Sequence, residues 1–144
     1  MISADRRKDL GILALRVLVP GTMLFAHGLG KLTSLPGILQ TFPNPIGLGS
    51  VLSAILTIFA EFCCAGLVML GIFTRLALIP MIIVMAVAFF VVHGSDPFPN
   101  REKALLYLVV YVGLFFTGGG RYVLGPEIWK FLRRTVGGLQ GSKK

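Results

Sequence analysis

The stretch of residues 59–75, FAEFCCAGLVMLGIFTR, decides the fold because it contains the end of one apolar helix, a very short turn and the start of the next helix. Gly71 suits the end of a helix and Thr74 suits an N-cap. A link this short predicts an antiparallel helical hairpin. Glu61 lies near the middle of the first helix, where a carboxyl group costs about 3 kcal/mol unless a partner compensates it.

The composition identifies the environment of these helices. Hydrophobic residues make up 55% of the 144 residues and charged residues 14%, whereas about 25% of a soluble domain is charged. We therefore predict one all-α, polytopic membrane domain over residues 1–144. The net charge of +8 is attributed to the flanks of membrane spans and not to nucleic-acid binding. The adjacent Cys63 and Cys64 have no disulfide or metal spacing and are interpreted as packing residues.

The hydropathy pattern predicts a four-helix transmembrane bundle, because about 20 apolar residues cross the hydrocarbon core. The predicted spans are residues 10–32, 49–72, 75–93 and 101–117. Three consecutive glycines at 118–120 end the last span. Residues 125–136 combine apolar side chains, among them Trp129, with basic ones. This combination predicts a short C-terminal amphipathic helix at the membrane interface.

The basic residues predict the orientation of the bundle. Four spans place both termini on one side, together with ten basic residues: Arg6, Arg7, Lys8, Arg75, Arg121, Lys130, Arg133, Arg134, Lys143 and Lys144. The opposite loops contain three: Lys31, Arg101 and Lys103. Because Lys and Arg concentrate in cytoplasmic loops, we predict that both termini are cytoplasmic.

The first two predicted spans each carry a polar stripe. In the first span the stripe has spacings of four, three, four and four residues and consists of Arg16, Pro20, Met23, His27 and Lys31. In the second the spacings are three, four, four and three, and the residues are Ser50, Ser53, Thr57, Glu61 and Cys64. Such spacing places residues on one helix face, and polar faces in membrane spans point into the bundle.

Two stripe residues lie close enough in depth to interact. At about 1.5 Å of rise per residue, Glu61 lies about 16 Å and Arg16 about 9 Å from the cytoplasmic ends of their spans. An arginine side chain is long enough to bridge that difference, and Tyr111 of the fourth span reaches the depth of Glu61. We therefore predict a buried polar seam of Arg16, Glu61 and Tyr111, in which Arg16 and Glu61 form an ion pair.

A second polar group lies near the outer ends of the spans, where Asp96 is close in height to four candidate ligand-binding residues: His27, Lys31, His93 and Glu102. One interpretation is a pocket for a quinone headgroup, because histidine donates hydrogen bonds and exchanges protons near neutral pH. A weaker one is a metal site with His27, His93 and a carboxylate as ligands, which no local motif supports. The third is interfacial hydrogen bonding without chemistry, and for Tyr107 and Tyr111 bundle packing is favoured.

Four motifs in order resemble the DoxX family of small bacterial membrane proteins. The first span has an arginine at residue 16 followed by His27-Gly28-x-x-Lys31; the others are residues 60–75, 92–93 and 117–122. The resemblance implies a four-helix bundle in the bacterial cytoplasmic (inner) membrane. It also implies a redox role, because the family is named after the quinone-reducing membrane subunits of thiosulfate:quinone oxidoreductase. Other members are linked to assemblies with soluble redox enzymes.

Three functions remain open at this point. The leading one is the membrane subunit of a quinone-linked oxidoreductase; since no soluble redox domain or cofactor motif occurs in the sequence, a partner protein would supply the electrons. The second is a non-catalytic membrane anchor for a soluble redox enzyme, docked on Arg121 and the basic amphipathic segment. The third is a small permease built around Glu61, which would require a homo-oligomer. The sequence leaves the substrate and the partner open.

Overall fold

A computed structural model describes residues 3–127, and within that range the chain is helical and contains no strand. Its helices are α1 (Ala4–Thr33), α2 (Leu35–Ile38), α3 (Ser50–Leu70), α4 (Thr74–Val92) and α5 (Phe98–Thr117). The all-α prediction is confirmed for this part of the chain. Most of the predicted amphipathic helix, from residue 128 onward, lies outside the described residues.

Three of these helices, α1, α3 and α4, are long and apolar enough to cross a membrane. Helix α5 has 20 residues but carries three charged side chains in its first two turns: Arg101, Glu102 and Lys103. Large apolar side chains face outward, and Phe116 of α5 is 74% exposed. An outward apolar surface of this extent fits contact with lipid.

Helix α1 begins six residues before the predicted first span, which was placed at residues 10–32. The reason is an N-cap: the Ser3 hydroxyl oxygen accepts a hydrogen bond from the backbone N–H of Arg6 at 3.4 Å. Asp5 lies in the first turn, where a negative charge complements the helix dipole. The polar start of the chain is therefore a continuation of the first membrane helix from residue 4.

The predicted hairpin between α3 and α4 is present. Gly71 ends α3 with a φ of 74°, a left-handed conformation that favours glycine, and the N–H of Ile72 donates to the carbonyl of Leu67 at 2.9 Å. Thr74 was expected to be the N-cap of α4, but the cap is Phe73, which has a φ of 46°. Thr74 is the first helical residue and is buried.

Helices α1 and α3 pack closely because small residues lie at their contact. A Cβ atom on Gly28 would lie 2.5 Å from the carbonyl oxygen of Glu61, and one on Gly21 would lie 3.3 Å from the sulfur of Met69. These contacts set the antiparallel register of the two helices: Gly28 is opposite Glu61.

The bundle has two ends that differ in construction. The turn end contains the start of α1, the turn at residues 71–73 and the segment of residues 118–124, whose Leu124 N–H donates to the carbonyl of Leu70 at 3.2 Å. The cavity end contains the loop between α1 and α3 and the loop between α4 and α5. Between them lies a core that includes Met23, Val68, Leu78 and Tyr111.

Candidate functional site

A cavity of about 610 Å³ lies at the cavity end, between α1, α3, α4, the start of α5 and the loop before α3. This size falls within the range of small-molecule sites, about 300–1,000 Å³. Most of its wall is apolar. The polar side chains in the wall are His27, Lys31, Ser53, Thr57, Glu61, His93, Asn100, Lys103 and Tyr107. A mainly apolar wall with a few polar groups is typical of a ligand-binding site.

The buried carboxylate of Glu61 is paired with Lys31. The Lys31 ammonium group donates a hydrogen bond to the Glu61 side chain, and both residues line the cavity. The Glu61 side chain is 7% exposed and that of Lys31 is 28% exposed. The close approach of α1 to α3 at Gly28 brings Lys31, one turn further along α1, within reach of Glu61.

Three of the four long helices change to π-helical geometry beside the cavity. The π-helical turns are Leu24–Gly28 in α1, Phe59–Cys64 in α3 and Ala88–Val92 in α4. The first contains His27, the second contains Glu61, and the third ends directly before His93. Single π-helical turns are rare and occur frequently at functional sites. Their position therefore marks the cavity as the candidate site.

The two histidines lie in the wall of the same cavity. The Nδ1 atom of His93 is 2.8 Å from a carboxylate oxygen of Asp96. The ring of His27 meets the ring of Tyr107 edge-on, with centroids 6.2 Å apart, and Tyr107 contacts Tyr111 at 5.8 Å. Each imidazole therefore contacts a neighbouring side chain, and that of His93 does so through a hydrogen bond.

A sequence model of the DoxX family matches residues 11–94, more than half of the chain. The chain belongs to the DoxX family. It is also 31% identical over 123 residues to a protein of Bacillus subtilis (strain 168) named "Putative oxidoreductase CatD", an alignment that covers 85% of this chain and 90% of the relative. No solved structure matches the chain. Together with the three apolar helices, family membership identifies a helical membrane protein.

The DoxX match contains most of the cavity's polar groups. Residues 11–94 include His27, Lys31, Glu61 and His93, together with all three π-helical turns. Helix α5, which contributes Lys103 and Tyr107, lies outside the matched range.

The predicted ion pair between Arg16 and Glu61 is wrong. Arg16 is buried at the turn end, where its Nη2 donates a hydrogen bond to the backbone carbonyl of Tyr122. A Cβ atom on Gly71 would lie 1.8 Å from Nη1 of Arg16, so Arg16 is level with Gly71, ten residues along α3 from Glu61. The depth estimate failed because it counted from the predicted ends of the spans and ignored the register set by Gly28.

Tyr111, the third member of the predicted seam, is fully buried. Its hydroxyl group has no hydrogen-bond partner among the described residues, so it does not donate to Glu61. The predicted seam of Arg16, Glu61 and Tyr111 is therefore divided among the turn end, the cavity and the core.

Glu102 does not line the cavity and is exposed on the first turns of α5 in this DoxX protein. Its neighbour Lys103 and the residue one turn later, Tyr107, face the cavity instead, as an i, i+4 pair on one helix face does. That spacing was the available signal for Tyr107, which was interpreted as a packing residue. Ser53 and Thr57 belong to the predicted stripe of Glu61 and do line the cavity.

The metal alternative has no complete ligand set in the described part of the chain. Among residues 3–127 there is no group of three or more His, Cys, Asp or Glu side chains positioned to hold a metal ion. His27, Glu61 and His93 line one cavity, but they are not positioned to hold one metal ion together.

Proposed function

We propose that this DoxX protein is the membrane subunit of a quinone-linked oxidoreductase and that its cavity binds the quinone headgroup. The observation that carries the proposal is the paired Lys31 and Glu61, with His27 and His93, in the wall of one largely apolar cavity beside three π-helical turns. The name of the Bacillus subtilis relative supports an oxidoreductase.

The residues present fit a quinone, which supplies two-electron chemistry when it is bound. A quinone ring is apolar on both faces and has two carbonyl oxygens that accept hydrogen bonds. The Lys31 ammonium group has three N–H donors, of which one is directed at Glu61, so two remain for a carbonyl oxygen. His27 and His93 supply further donors, and either imidazole can exchange a proton with the headgroup near neutral pH.

We propose further that α5 is a fourth membrane span, so that both termini lie on one side. A helix of 20 residues is about 30 Å long, which matches the hydrocarbon core, and its charged residues lie in its first turns, at the membrane boundary. The excess of Lys and Arg on the side of the termini supports a cytoplasmic location for that side. The cavity then lies toward the outer face of a bacterial inner membrane, and a partner redox protein supplies the electrons.

The first test is the quinone content of the protein purified in mild detergent, measured by mass spectrometry of organic extracts. We expect wild type to retain quinone and His27→Ala to retain about threefold to tenfold less, as the loss of one hydrogen bond implies. Glu102→Ala is the matched control, because Glu102 is exposed and outside the cavity wall. Wild-type protein without quinone would contradict the proposal and favour the anchor hypothesis.

A further inference from the structure

We propose that the cleft between α3 and α4 is a subsite for the hydrocarbon tail of the ligand, which enters the cavity sideways from the lipid phase. This inference rests on the proposed quinone function and assigns the ligand to a narrower class: amphiphiles that carry a long apolar tail and are dissolved in the membrane. The occupant of the cleft is the tail of the same molecule whose headgroup lies in the cavity.

Helices α3 and α4 are close at the turn end and diverge toward the cavity end. The tight turn at residues 71–73 joins them, and α4 packs against residues 59–70 of α3. The first part of α3, Ser50–Ile58, makes few contacts with α4. The two helices therefore form a cleft that widens toward the cavity. Because α3 and α4 also line the cavity, the cleft and the cavity are continuous.

Exposed side chains of the cavity wall mark where the cavity opens. Ile46 and Leu48 mark an opening at the loop before α3, and two others mark an opening at the cleft. Leu56 of α3 and Ile83 of α4 both line the cavity, yet they are 44% and 54% exposed. A side chain that contacts both the cavity and the exterior lies at the rim of an opening. In a membrane helix the exterior of such an apolar position is lipid.

The rim lies within the depth of the hydrocarbon core. Leu56 is six residues from the start of α3, or about 9 Å along the helix, and Ile83 is nine residues from the end of α4, or about 14 Å. Both depths are beyond the polar boundary of a bilayer whose hydrocarbon core is about 30 Å thick. Only the apolar part of a ligand fits at such a rim, since a polar group there would lose its hydrogen bonds to water.

The charged pair of the cavity, Lys31 and Glu61, lies on the side of α1, away from this rim. His27 and Lys31 are on α1, and Lys31 holds the carboxylate of Glu61 on the α1 side of α3. An amphiphile can bind with its headgroup at the wall formed by α1 and its tail between α3 and α4. Its polar part then contacts the polar groups, and its apolar part lies in the apolar cleft. We assign the tail of the ligand to the cleft, and not an unrelated lipid chain, because the cleft is continuous with the cavity.

The test uses a quinone analogue that carries a photoreactive diazirine on the first carbons of an alkyl tail. The analogue is added to the full-length protein in mild detergent and illuminated, and the labelled residues are identified by mass spectrometry. We expect labels on Leu56, Ile83 and their immediate neighbours. Labels confined to the loop at residues 39–49 or to α1 and α5 would overturn the subsite and leave the quinone site standing. No label on any part of wild type would overturn both.

Substitutions at the rim provide the second measurement. Leu56→Trp and Ile83→Trp fill the cleft, and we expect each to lower labelling by the tailed analogue about tenfold, because added bulk in a filled apolar site opposes occupancy. The matched controls are Ile55→Trp and Ile79→Trp, at positions that are 49% and 44% exposed but do not line the cavity. Equal labelling of rim and control variants would overturn the subsite.

Discussion

The two ends of the bundle each bury a charged side chain, and they accommodate it in opposite ways. At the cavity end, Glu61 is paired with Lys31 in the wall of a cavity of about 610 Å³. At the turn end, Arg16 is buried without an acidic partner among the described residues: its guanidinium donates to the carbonyl of Tyr122 and lies against Gly71. The empty space beside Glu61 is what a ligand-binding site requires. The close packing around Arg16 is what a purely structural contact between segments requires.

The glycines of the two ends also differ in how closely other atoms pack against them. At the turn end, a Cβ atom on Gly119 would lie 2.7 Å from Val123, and one on Gly71 would lie 2.8 Å from the same side chain. In the loop at the cavity end, Gly47 has a φ of 78° but no atom within 4 Å of a Cβ. The packing at the turn end thus requires glycine at 71 and 119 because there is no room for a Cβ atom. At Gly47, glycine is favoured only by the positive φ.

The largest expected effect comes from Gly71→Ala. The added methyl group would displace Arg16 and Val123, and the left-handed conformation adds about 1–2 kcal/mol of strain. We expect a loss of about 4 kcal/mol in the free energy of unfolding. Gly47→Ala has the same strain without the collisions and should lose only about 1 kcal/mol. Thermal unfolding of both variants in detergent measures the difference. Equal losses of stability would contradict the claim that only the turn end is closely packed around its glycine.

The next effect concerns the charges themselves. Lys31→Met leaves the Glu61 carboxylate without its partner and should cost about 3 kcal/mol, the low end for a broken buried pair because Lys31 is partly exposed. A double-mutant cycle of Lys31→Met with Glu61→Gln should give a coupling energy of about 1–3 kcal/mol. A cycle of Arg16→Met with Glu61→Gln should be additive within about 0.5 kcal/mol. Strong coupling in the second cycle would restore the Arg16–Glu61 pair.

The helices were predictable because long apolar runs are a strong signal. Residues 59–75 alone predicted the hairpin, and the structure contains it with Gly71 at the end of α3. The stripe that contains Glu61 also predicted its face, since Ser53 and Thr57 line the cavity with it. Periodicity along one helix, however, carries no information about which residue of a neighbouring helix lies opposite.

The partner of Glu61 was missed for that reason. A single contact, Gly28 against the Glu61 carbonyl, fixes how α1 lies along α3, and no pattern within α1 distinguishes Gly28 from Gly21 or Gly30. The π-helical turns were equally hidden, because they have no periodic signature of their own in the sequence. Counting along the predicted spans therefore favoured Arg16 as the partner of Glu61, and only the fold identifies Lys31.

The smallest effect tests the core between the two ends. Tyr111 is fully buried and its hydroxyl has no hydrogen-bond partner among the described residues, so Tyr111→Phe removes an uncompensated polar group. We expect the free energy of unfolding to stay unchanged or to rise by up to about 1 kcal/mol. Tyr111→Leu, which also removes the ring contact with Tyr107, should be clearly destabilised. A loss of more than about 1 kcal/mol in Tyr111→Phe would mean that the hydroxyl does have a partner, such as a buried water. In that case the polar region of the cavity extends into the core, and the separation between the two ends is narrower than the packing indicates.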